Sequence, residues 1–387
     1  MDPEATVAVV GLGAIGAMTT WRLAERGVAV HGYERFGVSH DRGASAGQTR
    51  RFSVQSQRER RFTPLALEAL DLWRELEAAT GRRLLDLVGG LILGPADADA
   101  LVSAARSARE LGLDHEVLDS AELARRFPQH LARPGDAGVT DPMGGFVRPE
   151  ASVAAAIERA RDLGATIHDY TRVHAVEPAD EHVVVRTPDG ARRYHRVVVA
   201  PGAWARDLLP AARTTVLPRR LVQAWYLPRD PAAYTFERFP VFERVGDFKA
   251  YGFPSLDGST IKVGIYGTAH PIVHDTENPS RTVGLDLVRS FRDVIAECLP
   301  GVHPDPSATT VGLEGYTTDG SALLGPAPDA PNVILACGFS GSGFKFAPVM
   351  GDIAADYATK GATARDVEFL SPAREVASWP ADFLTRA

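Results

Sequence analysis

Between Val7 and Glu34 the chain reads VAVVGLGAIGAMTTWRLAERGVAVHGYE, and no other stretch restricts the fold as strongly. A short apolar run, Val7 to Val10, stops at Gly11, and Gly11, Gly13 and Gly16 form G-x-G-x-x-G. Ala17, Thr20, Trp21, Leu23 and Ala24 then recur with helical spacing, and Gly27 closes the helix. Val28 to Tyr33 reads as a second strand, with Glu34 at its end about 20 residues beyond the glycines and Arg35 beside it. In such a strand–turn–helix–strand unit Gly11 permits the turn, Gly13 lets the backbone approach a pyrophosphate, and Gly16 lets helix and strand pack closely. Ala14 and Ile15 open the helix, whose unpaired N–H groups and positive dipole end face the phosphates. Glu34 accepts from a ribose hydroxyl. The pattern predicts an α/β chain with a Rossmann-like domain for an adenine dinucleotide, and leaves NAD and FAD open.

At 387 residues the chain is long enough for two domains, and its composition, 45% apolar and 24% charged, is that of an ordinary globular protein. A net charge of −7 argues against nucleic acid or an anionic membrane as partner. Cys298 and Cys337 have no ligand or redox spacing and read as buried thiols; no metal site is expected. There is no apolar run of about 18 residues, and a first strand at Val7 leaves no room for a signal peptide. A cytoplasmic protein is expected, as a monomer or small homo-oligomer.

Residues 35–51 are polar, rich in glycine and without period, as in a long functional loop. A helix follows from Pro64 to Gly81, then strand character from Leu84 to Leu93, a helix near Ala96 to Leu111, and a short helix with Ser120 as N-cap and Pro128 as its stop. Glu150 to Leu163 reads as a helix, followed by strands near Ala165 to Ile167, Arg172 to Glu177 and His182 to Thr187. Val197 to Ala200 is a buried strand ending in Pro201-Gly202-Ala203-Trp204. From about residue 216 the texture changes to short strands rich in aromatic and β-branched residues, with a helix from Val283 to Glu297 and a strand at Thr309 to Gly312. This predicts an antiparallel sheet suited to a substrate domain. Val333 to Cys337 then runs into the glycine turn Gly338 to Gly343 and a helix to Thr359, mirroring the first unit.

Four patterns in this order and spacing resemble the D-amino-acid oxidase superfamily, and most closely its monomeric sarcosine oxidase and N-methyltryptophan oxidase group. They are Gly11-x-Gly13-x-x-Gly16 with Glu34, Ser45-x-Gly47-x-Thr49-Arg50, Pro201-Gly202-Ala203-Trp204, and Gly338-Phe339-Ser340-Gly341-Ser342-Gly343-Phe344-Lys345. Phe62-x-Pro64-Leu65-Ala66-Leu67 and Tyr251-Gly252-Phe253-Pro254 extend the likeness over nearly the whole chain. The resemblance implies FAD, held by a discontinuous domain of residues 1–84, 141–215 and 316–387, with residues 85–140 and 216–315 forming a mixed or antiparallel substrate domain. It also implies that Val173, Thr49 and Arg50 lie by the cofactor, and that Gly341 to Lys345 line its other side. The residues alone equally allow Arg50-Arg51 to be a solvated surface pair.

Lys262 stands in an otherwise apolar strand, Thr260 to Gly264; on pattern alone it is either buried for a reason or an outward-facing edge position. The resemblance implies the first, because the matching lysine in sarcosine oxidase activates dioxygen, where a fixed positive charge stabilises negative charge developing on oxygen. By the same likeness Tyr251, Tyr266, Tyr316 and Lys345 face the substrate, with Tyr266 standing where sarcosine oxidase has a histidine. Lys345 matches a lysine that binds a carboxylate as a point charge. Without the family these tyrosines read as half-buried packing residues and Lys345 as a helix-surface lysine.

Two departures matter. Glu314 occupies the position of the family's flavin-attaching cysteine, so noncovalent FAD is expected. Ser53 replaces an arginine that clamps the substrate carboxylate, and neither Arg51 nor Arg58 matches it, so the substrate is expected not to be sarcosine. A larger amino acid or cyclic imino acid held by Lys345 and another cation fits, as does an amine whose acidic group lies elsewhere. The implied reaction is amine oxidation by hydride transfer to flavin N5, imine hydrolysis in water, and reoxidation by dioxygen to hydrogen peroxide. The rivals are a flavin dehydrogenase with another electron acceptor and a flavin-binding subunit without turnover of its own; an NAD-linked dehydrogenase would leave the second glycine turn without a role.

Overall fold

The computed structural model describes residues 5–55, 60–209, 212–266, 270–380 and 383; Arg58 lies outside them. The first of three sheets among the described residues has a parallel middle in which Thr166–His168, Val30–Tyr33, Ala5–Val10, Gly190–Val199 and Ala330–Cys337 lie side by side. Leu323–Ala327 adds antiparallel at one edge, while Ala175–Pro178 and Val183–Thr187 extend the first half of Gly190–Val199. The valine run of the first strand is apolar on both faces because both are covered. Val7 and Val9 join a core with Trp21, Trp73 and Met350, whereas Ala8 and Val10 join one with Tyr194, Val197 and Leu335. The helices Ala14–Glu25, Pro149–Asp162 and Ala347–Lys360 pack into the first of these cores.

The second sheet runs Ala308–Thr317, Val216–Tyr226, Ile261–Ile265, Ala250–Phe253, Val241–Arg244, Gly90–Pro95, Asp136–Asp141, Val117–Asp119. Every pairing is antiparallel except that of Val241–Arg244 with Gly90–Pro95. A third, small sheet joins Arg50–Phe52, Gly145–Val147 and Leu85–Asp86.

Three local expectations are corrected. The N-cap of the helix Ser120–Arg126 is Asp119, which strand pairing holds extended so that its carboxylate accepts from Glu122 N at 2.9 Å; Ser120 is the first helical residue. The strand expected from Arg172 begins only at Ala175, and residues 171–174 instead run as irregular backbone along a cleft beside the first sheet. The strand expected at Thr309 to Gly312 continues to Thr317, paired throughout with Val216–Tyr226, so Glu314 and Tyr316 are sheet residues of fixed orientation.

Asp352, on the last long helix, gathers Arg22 at 2.6 Å, Arg26 at 2.7 Å and Arg365 at 2.6 Å. Burial raises its carboxyl pKa, but the arginines outweigh it and hold the group below the ordinary value. A depressed folded pKa stabilises above the unfolded value of about 3.9, and that contribution is lost as pH falls through the folded one. Asp352→Asn is expected to cost about 2 kcal/mol at pH 7, between an exposed and a fully buried pair. In urea titrations the difference from the parent should shrink as pH falls below the unfolded value; a difference constant with pH would sink the electrostatic account.

Candidate active site

The glycine turn forms one wall of the cleft. Gly11 has φ +87°, and a Cβ there would meet the backbone of Ala200 and Pro201, so the first strand and Val197–Ala200 approach as only glycine permits. The helix Ala14–Glu25 starts at Gly13 with no side-chain cap, and Ala14 N donates to Ser45 Oγ at 2.9 Å. Glu34 is buried and fixed: Oε2 accepts from Leu12 N at 2.8 Å and Oε1 from Phe36 N at 2.9 Å. Each oxygen retains acceptor capacity toward a hydroxyl. A glycine cradle, a helix N-terminus whose N-cap residue has no side chain and a pinned acid are a donor and acceptor set that fits an adenine dinucleotide.

Of the expected cofactor residues, Gly11, Gly13, Ala14, Ile15, Glu34, Arg35, Ser45, Arg50, Val173, Gly202, Trp204, Gly338, Gly341, Gly343 and Phe344 border this one cleft. Gly16 lies behind it against Gly11. Gly47 and Thr49 present carbonyls to Lys262, while Ser342 and Lys345 face a second cavity.

That cavity, of about 800 Å³, is bordered by Tyr251, Tyr266, Tyr316 and Lys345, four of the five expected catalytic residues. Tyr251 and Tyr266 have ring centroids 5.0 Å apart. Tyr316 OH donates to Glu314 Oε2 at 3.1 Å and lies 3.3 Å from His270 Nδ1, while Glu314 Oε1 accepts from Gly341 N at 3.0 Å. Burial, reinforced by Glu314, raises the Tyr316 phenol; burial also raises that of Tyr251, so both are neutral donors. Lys345 sits on the one-turn helix Phe344–Phe346, whose position is fixed by Trp73 Nε1 donating to Lys345 O at 3.1 Å.

Lys262 is the fifth, and it borders neither the cleft nor the cavity. It is 3% exposed, between Trp225 and Phe253 on the neighbouring strands. Nζ donates to Gly47 O at 2.7 Å, Thr49 O at 2.6 Å and Gln223 Oε1 at 2.9 Å, one acceptor for each ammonium N–H. Burial and the nearby Arg50 guanidinium push its pKa well below the ordinary lysine value, against the pull of Glu150. The outward-facing alternative is excluded by this burial: Lys262 is a core lysine whose Nζ underpins the 47–50 loop. Ser53 turns away from the cavity, its Oγ 2.8 Å from Asp141 Oδ2 and 3.0 Å from Gln55 O with a single O–H between them.

Sequence reasoning passed over Gln223, Glu243, Arg219 and His270. Gln223 Oε1 also accepts from Arg50 Nη1 at 3.1 Å, tying both cations together. Its signal was present, a polar residue within the apolar run Leu221 to Tyr226, the same irregularity that exposes Lys262. Glu243 pairs with Arg51 on the cavity wall, so Arg51 is an internal ion pair and not a solvated surface charge. His270 and Arg219 carry no local signal; antiparallel pairing alone brings their segments to Tyr316.

The family model described as DAO, FAD dependent oxidoreductase, matches residues 6–357. Monomeric sarcosine oxidase of Streptomyces avermitilis is 33% identical over 385 residues, 98% of this chain and all of that protein. N-methyl-L-tryptophan oxidase of Salmonella heidelberg is 28% identical over 353 residues, 90% of this chain and 93% of that protein. Among solved structures, NikD, described as an unusual amino acid oxidase essential for nikkomycin biosynthesis, superposes with a TM-score of 0.85 at 27% identity, covering 97% of this chain and 98% of its own. With the dinucleotide cradle built as the sequence requires and the likeness running from end to end, the chain belongs to the DAO family of FAD-dependent oxidoreductases.

Proposed function

We propose that this protein oxidises the C–N bond of an amine or amino acid with noncovalent FAD and dioxygen, and that its substrate is not sarcosine. One observation carries the reading: Arg50, Glu314, Phe339, Gly341 and Phe344 border both the cofactor cleft and the second cavity. A cofactor lying in the cleft and a substrate lying in the cavity therefore meet at a common wall. The oxidases of sarcosine, N-methyl-L-tryptophan and an amino acid among the relatives support this class of substrate.

Bound FAD supplies the electron-pair acceptor for the C–N bond and the subsequent reaction with dioxygen that yields hydrogen peroxide. The chain supplies binding, orientation and charge. Gly11 to Gly16 and the helix behind them hold the phosphates, and Glu34 takes a ribose hydroxyl. Tyr251, Tyr266 and Tyr316 shape the cavity and exclude water from a neutral amine. Lys345 attracts the substrate's acidic group, and Lys262 places a positive charge beneath the 47–50 loop. Glu314 offers no thiol for attachment. The two thiols present are buried and border neither cavity, with burial pushing Cys298 up to about 11 and Cys337 up to about 12. Ser53, committed to Asp141, cannot form the Arg–carboxylate fork that a small substrate such as sarcosine would need.

The purified protein is expected to be yellow, to release all its flavin into the supernatant on acid precipitation, and to bleach anaerobically with particular amines or amino acids. Colour retained in the pellet would overturn noncovalent binding. Bleaching by none of a broad panel would favour the flavin-binding subunit, and bleaching without reoxidation in air the dehydrogenase.

A further inference from the structure

The wall of the cavity carries an arginine that makes no ion pair among the described residues. Arg219 stands on Val216–Tyr226 directly opposite Glu314. That carboxylate accepts from Gly341 N and Tyr316 OH, and Arg219 forms no ion pair among the described residues. Its guanidinium carbon lies 5.2 Å from the ring centre of Tyr316 and 5.4 Å from that of Trp379, and its Nε is buried without a hydrogen-bond partner. Trp379 is itself anchored, Nε1 donating to Thr215 O at 3.2 Å. The other arginines of this cavity wall are engaged: Arg50 donates to Ala44 O at 2.6 Å and Thr49 O at 2.7 Å, and Arg51 pairs with Glu243. His270, beside Tyr316, is held neutral, its pKa pushed down to about 4 by burial and by Arg219 itself.

Taking the cavity as the substrate site, we propose that Arg219 receives the substrate's carboxylate, assuming from the Val216–Tyr226 strand the task that residue 53 cannot perform. A planar guanidinium beside two aromatic rings keeps its fork oriented toward the cavity, and its Nε, without a hydrogen-bond partner, marks a donor set that a carboxylate can complete. The substrate class is then an amino or imino acid and not a simple amine. Its carboxylate lies on the wall formed by Arg219, Tyr316 and His270.

Calorimetric titration of the flavin-loaded protein with benzoate and with uncharged benzamide tests this. Arg219→Gln is expected to weaken benzoate about 10- to 100-fold and leave benzamide unchanged. Arg219→Lys, which keeps the charge without the fork, should fall between; it decides the matter if the Gln variant loses its flavin. Wild-type benzoate affinity in either variant, or no preference of the parent for benzoate over benzamide, overturns the proposal. Bleaching of the parent by amines without a carboxylate, together with unchanged benzoate binding in the variants, would reject Arg219 and leave the oxidase standing. Failure of every amine and amino acid to bleach the parent would reject the oxidase itself.

Discussion

Lys262→Met is expected to slow reoxidation of the reduced protein by dioxygen by about two to three orders of magnitude, the usual cost of removing one preorganised group that stabilises developing charge. Anaerobic reduction by substrate should stay near its original rate. The basis is placement: Lys262 lies outside the substrate cavity, and its Nζ is fixed under the loop that carries Arg50, which borders both the cofactor cleft and the cavity. A proton carried on an amine so buried places a positive charge that is poorly screened and acts over a longer range than in water. Met fills most of the lysine's volume but leaves the Gly47 and Thr49 carbonyls without this donor, so some stability is lost as well. Thermal unfolding followed alongside stopped-flow oxidation and reduction separates the two effects. Equal slowing of both half-reactions would rule out a role confined to oxygen, and a parent that reoxidises slowly in air would point to the dehydrogenase.

How far the site was readable depended on how local its causes are. The turn at Gly11, the helix start at Ala14 and the acid at Glu34 are set by neighbours within one supersecondary unit, and the structure builds them as the sequence reads. Lys262 was conspicuous because a lysine inside an apolar strand needs an explanation; Gln223 broke its strand in the same way and is the acceptor that ties Lys262 to Arg50. Arg219, His270 and Glu314 meet only through register between strands about a hundred residues apart in the chain, which no spacing rule reports. The inward or outward direction of residues 51 and 53 was equally hidden, since it depends on whether Glu243 or Asp141 waits on the facing strand. Irregular backbone at residues 171–174 escaped for a related reason: its apolar and β-branched residues face a cleft, where they read like a strand facing a core.

Gly16→Ala is expected to abolish flavin binding and lower stability by about 3 kcal/mol or more, at the upper end of overpacking costs, because the obstacle is backbone. A Cβ on Gly16 would sit inside the van der Waals radius of the Gly11 carbonyl oxygen, 2.9 Å from its carbonyl carbon and 3.4 Å from Val9 Cγ1. Gly11 cannot yield, since its N donates to Tyr33 O at 2.8 Å and the Ala200 backbone closes its other side. The helix must therefore move off the strand, carrying its N-terminus away from the cleft that Glu34 and Ser45 have fixed. Gly27→Ala is the control: unlike Gly16 it has positive φ, +71°, but a Cβ there meets nothing within 4 Å. It should cost only the conformational penalty of about 1–2 kcal/mol and keep its flavin. Flavin content per protein and the urea midpoint of the two variants distinguish close approach from conformational strain. If Gly16→Ala binds FAD normally, the helix N-terminus is not what holds the phosphates, and the cradle at Gly11 and Gly13 must do so without it.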